Sequence, residues 1–183
     1  MTAATLRREL EAFTPSDDAE RASLDRVRTL LETAADPFTR AVPDHITGSA
    51  VVARPTGEAF LLVHHRRLGR WLQPGGHVEP EDASVFEAAR REAREETGVG
   101  ALDAPFGPRL LDVDVHPIPP RPDRPAHVHF DLRYLLTTSE TRFAVQAEEV
   151  RRAAWFRLEE ALAAGADASL ERALRKARAL LAR

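Results

Sequence analysis

The chain has no cysteine among its 183 residues. That absence excludes disulfides, thiolate zinc sites and cysteine nucleophiles, and it leaves oxygen and imidazole as the ligands for any metal, a set that favours hard cations. Basic excess is missing too: 26 lysines and arginines stand against 29 aspartates and glutamates, a net charge of -3. A protein that holds nucleic acid by its phosphates needs the opposite balance. No apolar run is long enough to span a bilayer, and the stretch from Met1 to Phe13, with Arg7, Arg8, Glu9 and Glu11, lacks the apolar core of a signal peptide. The sequence therefore predicts a cytoplasmic protein with neither nucleic acid nor membrane as partner.

What is present suffices for one substantial core, since 43% of the residues are hydrophobic. Apolar residues recur at helical spacing from Asp17 to Ala35, with Ser16 or Asp17 available as N-cap, and a shorter helix is expected over Leu6 to Phe13. Residues 1–44 read as an N-terminal helical extension and residues 45–183 as the main domain. Two β-rich runs, Ile46 to Ala53 and Ala59 to His65, flank a turn containing Pro55 and Gly57 and predict a hairpin. Trp71 to Gly76 reads as a short strand that breaks at the diglycine, followed by a helix over about Ala83 to Thr97 with Gly98 as its stop. Leu110 to His116 and His127 to Leu136 alternate apolar and polar residues and predict strands with one buried face, joined by a proline-rich loop from Pro117 to Pro125. A strand at Ala153 to Phe156 and helices over Leu158 to Ala163 and Leu170 to Leu181 complete an α/β sandwich without internal repeats.

The chemistry concentrates between Gly75 and Gly98, where seven acids face three arginines. On a helix Glu92, Glu95 and Glu96 are related by three and four positions, so their carboxylates emerge on one face within about a turn of each other. Like charges so placed cost a helix roughly 0.2–0.5 kcal/mol per pair, a term that a divalent cation held by oxygen ligands reverses. Gly75 and Gly76 lie just before this helix and offer bare backbone that can approach a cation closely. A charge-rich solvated helix face would explain the glutamates alone, but not their convergence with the diglycine.

The stretch resembles the Nudix box of the MutT/Nudix family: a glycine, five residues, a glutamate, seven residues, then Arg-Glu-aliphatic-any-Glu-Glu-any-Gly-aliphatic. Arg91, Glu92, Ala93, Glu95, Glu96, Gly98 and Val99 match the second half. The first half departs from the pattern, with one extra residue between Gly76 and Arg91 and with Asp82 where the family has glutamate. The extra residue most economically sits at the start of the helix, where Asp82 or Ser84 can serve as N-cap.

The resemblance implies a Nudix-like α/β/α sandwich around a mixed β-sheet, and a pyrophosphohydrolase that cleaves the diphosphate linkage of a nucleoside diphosphate derivative or nucleotide with Mg2+ or Mn2+. It makes Glu92, Glu95, Glu96 and the carbonyl of Gly75 the metal ligands, and gives Arg91 the task of holding the glutamates. Glu92 comes first as general base, with Glu148 or Glu149 second, and Glu79 is expected to support Arg91. The partner is a small nucleotide or diphosphate substrate, with a homodimer left open as an assembly. An isomerase of the isopentenyl diphosphate type would need the cysteine this chain lacks, while a non-catalytic nucleotide sensor on the same fold is the remaining alternative. Pro117 and Pro119 lie slightly later than the proline that ADP-ribose-cleaving members often carry after the box.

The polar residues of the two long strands form a second grouping. Asp112, Asp114 and His116 share one side of the first strand, and His127, His129, Asp131 and Arg133 one side of the second. Paired, they would make a patch of histidines and acids that either holds a second metal or walls a pocket. The pocket is the commoner outcome, which makes His127, His129 and Arg133 the expected substrate-binding residues.

Overall fold

The computed structural model describes residues 2–120, 124–145, 148 and 150–182. Its elements in chain order are α1 (Ala3–Glu11), α2 (Asp18–Thr33), β1 (His45–Ala53), β2 (Phe60–His65), β3 (Arg70–Leu72), β4 (Gly75–His77), α3 (Val85–Thr97), β5 (Leu110–Ile118), β6 (His127–Thr137), β7 (Val150–Phe156), α4 (Leu158–Ala163) and α5 (Ala168–Leu181). The strands form one mixed sheet along the path β3-β2-β1-β6-β5, with β4 added to β1 and β7 to β2. β1 and β6 run parallel, from His45 opposite His129 to Ala53 opposite Thr137, whereas the hairpin of β1 and β2 and the pair β5 and β6 are antiparallel.

Alternation along the strands sends apolar side chains to both faces of this sheet. On one face Ile46, Ala50, Val52, Leu132 and Tyr134 meet Val85, Phe86, Ala88, Ala89 and Ala93 of α3. On the other, Val51, Phe60, Leu62 and Leu135 meet Leu158 and Ala161 of α4 and Leu170, Ala173, Leu174 and Ala177 of α5. The result is the expected sandwich of helix, sheet and helix.

The N-terminal helices belong to the first of these layers. Leu6, Leu10, Leu24, Val27 and Leu31 are buried in the same core as α3. Asp17 caps α2, accepting from the Glu20 amide at 2.7 Å, and Glu20 itself is fully buried. Its carboxylate accepts from Lys176 of α5 at 2.5 Å and from the Val113 amide of β5 at 3.2 Å.

Local geometry departs from the sequence reading at three places. The diglycine does not open a loop but pairs as β4, Gly75 opposite Ser49 and Gly76 opposite Gly48. A Cβ at Gly75 would stand 2.6 Å from the Ser49 Cα, so glycine is what lets the strands close up here. The ladder of β5 continues through Pro117, opposite Val128, and Ile118, opposite His127. β5 ends the strand path, so the missing N–H of Pro117 costs no ladder bond on a further neighbour. A register shift between Leu110 and Asp112 turns Leu111 into the α4/α5 layer, although simple alternation groups it with Val113. None of the helices among the described residues is long and apolar enough to cross a membrane.

Candidate active site

Helix α3 carries the centre of the site and its ends are fixed by side-chain and backbone caps. Ser84 is the N-cap, accepting from the Glu87 amide at 3.2 Å, and Gly98 closes the helix at φ 71°, its N–H donating to Arg94 at 2.7 Å. The extra residue of the box therefore lies before the helix, and Asp82 is free for a different task.

That task is gripping Arg91. Arg91 Nε and Nη2 donate to the two carboxylate oxygens of Asp82 at 3.1 and 2.9 Å, Nη1 to Glu92 at 2.9 Å and Glu95 at 3.0 Å, and Nη2 also to the His77 carbonyl at 2.9 Å. All five donors of the guanidinium are thus directed, which fixes its plane and, through it, two of the three box glutamates. The Asp82 hydrogen bonds outweigh partial burial and hold the Arg91 guanidinium above its already high ordinary pKa, so it stays charged. Glu79, expected in this role, instead faces Arg40 at 3.9 Å across a well-exposed gap.

The third glutamate is buried against the diglycine strand, where Gly75 N donates to Glu96 at 3.0 Å. A Cβ at Gly76 would sit 2.6 Å from the Glu92 carboxyl carbon. Only a bare backbone fits between β4 and the carboxylates, which is the cradle a divalent cation would need. Gly75 thus meets Glu96 directly, Gly76 packs against Glu92, and Arg91 links Glu92 to Glu95.

A cavity of about 430 Å³ opens beside this point, lined by Gly75, Gly76, His77 and Glu96, by Arg66, Arg67 and Gln73, and by His116, His129 and Asp131. Glu148 lines it as well; Glu149 lies outside the described residues. Of the three strand residues expected to contact substrate, His129 faces the cavity. His127 is buried behind it with its Nε2 3.2 Å from that of His129.

Arg133 is 3% exposed, sits in a closed ion cluster and does not itself line the cavity. It donates to Asp131 at 2.9 Å, Asp114 at 3.2 Å, Asp112 at 3.3 Å and the Ser169 hydroxyl at 2.6 Å. Asp131 in turn accepts from Ser49 at 2.7 Å and Gln73 at 3.2 Å, so Arg133 positions a residue that lines the cavity. Burial pushes Asp112 up to about 6 despite its bonds from Arg172 and its pairing with Arg133.

The histidines gather more densely than the strand pattern suggests. Parallel pairing sets His45 opposite His129, and β4 brings in His77. Burial, reinforced by neighbouring imidazoles, lowers His77 to about 4 and lowers His45 and His129 as well, so all three are neutral at pH 7. His116 goes the other way: desolvation lowers it, but Asp114, hydrogen-bonded at 2.9 Å, and the nearby charge of Asp131 together raise it. His45 and His77 were missed by sequence reasoning because nothing local says which strands become neighbours.

Residues 43–177 match the profile of the NUDIX domain, and the chain belongs to that family. It is accordingly a Nudix pyrophosphohydrolase, with the carboxylates of the box in place. No curated protein sequence matches it. Among solved structures, a NUDIX-family hydrolase from Clostridium perfringens is 27% identical, with a TM-score of 0.51 over 75% of this chain and 95% of that one. A C. elegans Ap4A hydrolase in a binary complex is 21% identical, with a TM-score of 0.52 over 75% of this chain and 97% of that one. The NUDIX domain of Shewanella oneidensis NrtR, complexed with ADP ribose, is 20% identical, with a TM-score of 0.54 over 74% and 87%.

Proposed function

We propose that the chain is a divalent-cation-dependent hydrolase that cleaves the diphosphate linkage of a nucleoside diphosphate derivative, with Mg2+ or Mn2+ held by Glu92, Glu95, Glu96 and the carbonyl of Gly75. The observation that carries this reading is the fully committed Arg91, which locks Asp82, Glu92 and Glu95 around the diglycine strand, next to a cavity edged by Arg66 and Arg67. When bound, the cation supplies positive charge that neutralises diphosphate oxygens and eases attack by water at phosphorus. Glu92 accepts the proton of that water, with Glu148 and Glu149 next in order; Glu148 shares the cavity with Glu96. Arg66 and Arg67 hold the anionic end of the substrate, and His129 and Asp131 wall the nucleoside side.

ADP ribose and diadenosine tetraphosphate are bound or cleaved by the structural neighbours named above, and the cavity supports testing both here. A panel of these with nucleoside triphosphates, assayed with Mg2+ and Mn2+ for released monophosphate or phosphate, should yield one substrate class turned over well above the rest. Glu95→Gln and Glu96→Gln should each lower kcat on it at least about a hundredfold with the fold intact. Tight binding across the panel with no turnover of any member would instead support a nucleotide sensor.

A further inference from the structure

Five imidazoles from four strands meet at one end of the sheet: His45, His77, His116, His127 and His129. Their ring centroids are close, 4.9 Å for His45 and His129, 5.2 Å for His45 and His77, and 5.5 Å for His77 and His129. One ring nitrogen from each of His45, His77 and His129 lies within 4.8 Å of the other two.

The hydrogen bonds fix the state of the innermost ring. His45 is completely buried and its Nδ1 faces the carbonyls of Val42 and Pro43 at 3.2 and 3.0 Å, so Nδ1 carries the proton and Nε2 is a bare lone pair. That Nε2 is buried with no hydrogen-bond partner among the described residues, and so is the Nε2 of His77. An unsatisfied buried polar atom costs about 1–3 kcal/mol, and two in one cluster of rings are not explained by packing. A ring N–H spent on a backbone carbonyl with the other nitrogen left bare is the outer arrangement that metal-binding histidines almost always show.

We propose that His45, His77 and His129 form a second cation site, separate from the box glutamates, that takes a transition-metal ion of the Zn2+ type. Three nitrogen donors select Zn2+, Co2+ or Ni2+ over Mg2+, whereas carboxylate and carbonyl oxygens suit Mg2+ and Mn2+, so the two sites differ in kind. Zn–N bonds of about 2.0–2.1 Å put tetrahedral ligands about 3.4 Å apart, which these rings reach by moving about an ångström. His77 and His129 line the cavity that Gly75 and Glu96 also line, so the ion has one side open to the substrate space. The His77 carbonyl accepts from Arg91, which ties this cluster to the box through one strand.

The test reads metal content and not hydrolysis, so it is independent of the function proposed above. Chelator-stripped protein is incubated with Zn2+ in a large excess of Mg2+, desalted and assayed by elemental analysis. One zinc per chain is expected in the wild type and in a Glu95→Gln/Glu96→Gln double variant. His77→Gln and His129→Gln, checked for an unchanged zinc-free melting temperature, should weaken zinc at least about a hundredfold. Zinc absent from the wild type, lost in the glutamate variant, or retained by both histidine variants overturns the site. If the variants fold poorly, Co2+ bound to the wild type decides: its visible absorption should be abolished by Zn2+ and untouched by Mg2+, and displacement by Mg2+ overturns the proposal.

Discussion

Arg91 and Glu20 show how much of this protein's electrostatics turns on single buried or half-buried partners. The role of Arg91 is read from its match to the Nudix box, yet the residue that anchors it, Asp82, sits nine positions earlier in a segment with one residue too many for the family pattern. Only the capped start of α3 shows where that residue went. Glu20, in the first turn of α2, is fully buried between Lys176 and the amide of Val113. Burial alone would raise its pKa, but hydrogen bonds involving Asp112, Lys176 and Ser16 bring it down to about 2. A depressed carboxylate contributes stability that is full above its unfolded value near 4.5 and is lost as pH falls toward 2. The wild type should therefore exceed Glu20→Gln by up to about 3 kcal/mol at pH 6 in urea unfolding, and the gap should close between pH 4.5 and 2. Asp112 is shifted oppositely, so the comparison of variants is diagnostic where the wild-type curve alone is not. A gap that stays constant with pH would mean that Glu20 acts by shape and not by charge.

At the scale of elements, periodicity and caps made the helices readable, and alternation made β5 and β6 readable. Neither carries register. The parallel match of β1 with β6, which places His45 beside His129, joins segments some eighty residues apart and has no local signature. The same limit explains Arg133. Its alternation with Phe130 and Leu132 correctly put it on one face with His127 and His129, but which parts of that face a helix covers is a tertiary fact. Helix α5 closes over one end with Ser169 and Arg172 and leaves the other to the cavity. Removing Arg133 leaves Asp112, Asp114 and Asp131 without their shared cation in a buried setting, a loss of about 3–5 kcal/mol. Arg133→Met should therefore lower the melting temperature by roughly 10 °C, at about 2–4 °C per kcal/mol for a chain of this size. A normal melting point with a raised KM would instead make Arg133 a direct substrate contact.

At the scale of the whole molecule, the side chains of α1 and α2 show what these N-terminal helices contribute. Leu6, Leu10, Leu24, Val27 and Leu31 are at most 3% exposed and share the core with α3. At about 1.5–3 kcal/mol for each buried side chain, they together match the 5–15 kcal/mol by which domains are stable. Deleting residues 2–34 should abolish cooperative thermal unfolding, monitored by circular dichroism; a truncated chain melting cooperatively within a few degrees of the full one would show the domain to be independent of them. The central claim is that α3 and the diglycine strand build a cation-dependent diphosphate hydrolase, and one measurement tests it most directly. Chelator-stripped protein, verified metal-free, is assayed on its best substrate while Mg2+ or Mn2+ is added back, beside Glu96→Gln. The account predicts no turnover without the cation, saturable recovery in the wild type, and at least about a hundredfold lower plateau in the variant. Full turnover in the metal-free protein, or equal plateaus for wild type and variant, would contradict it.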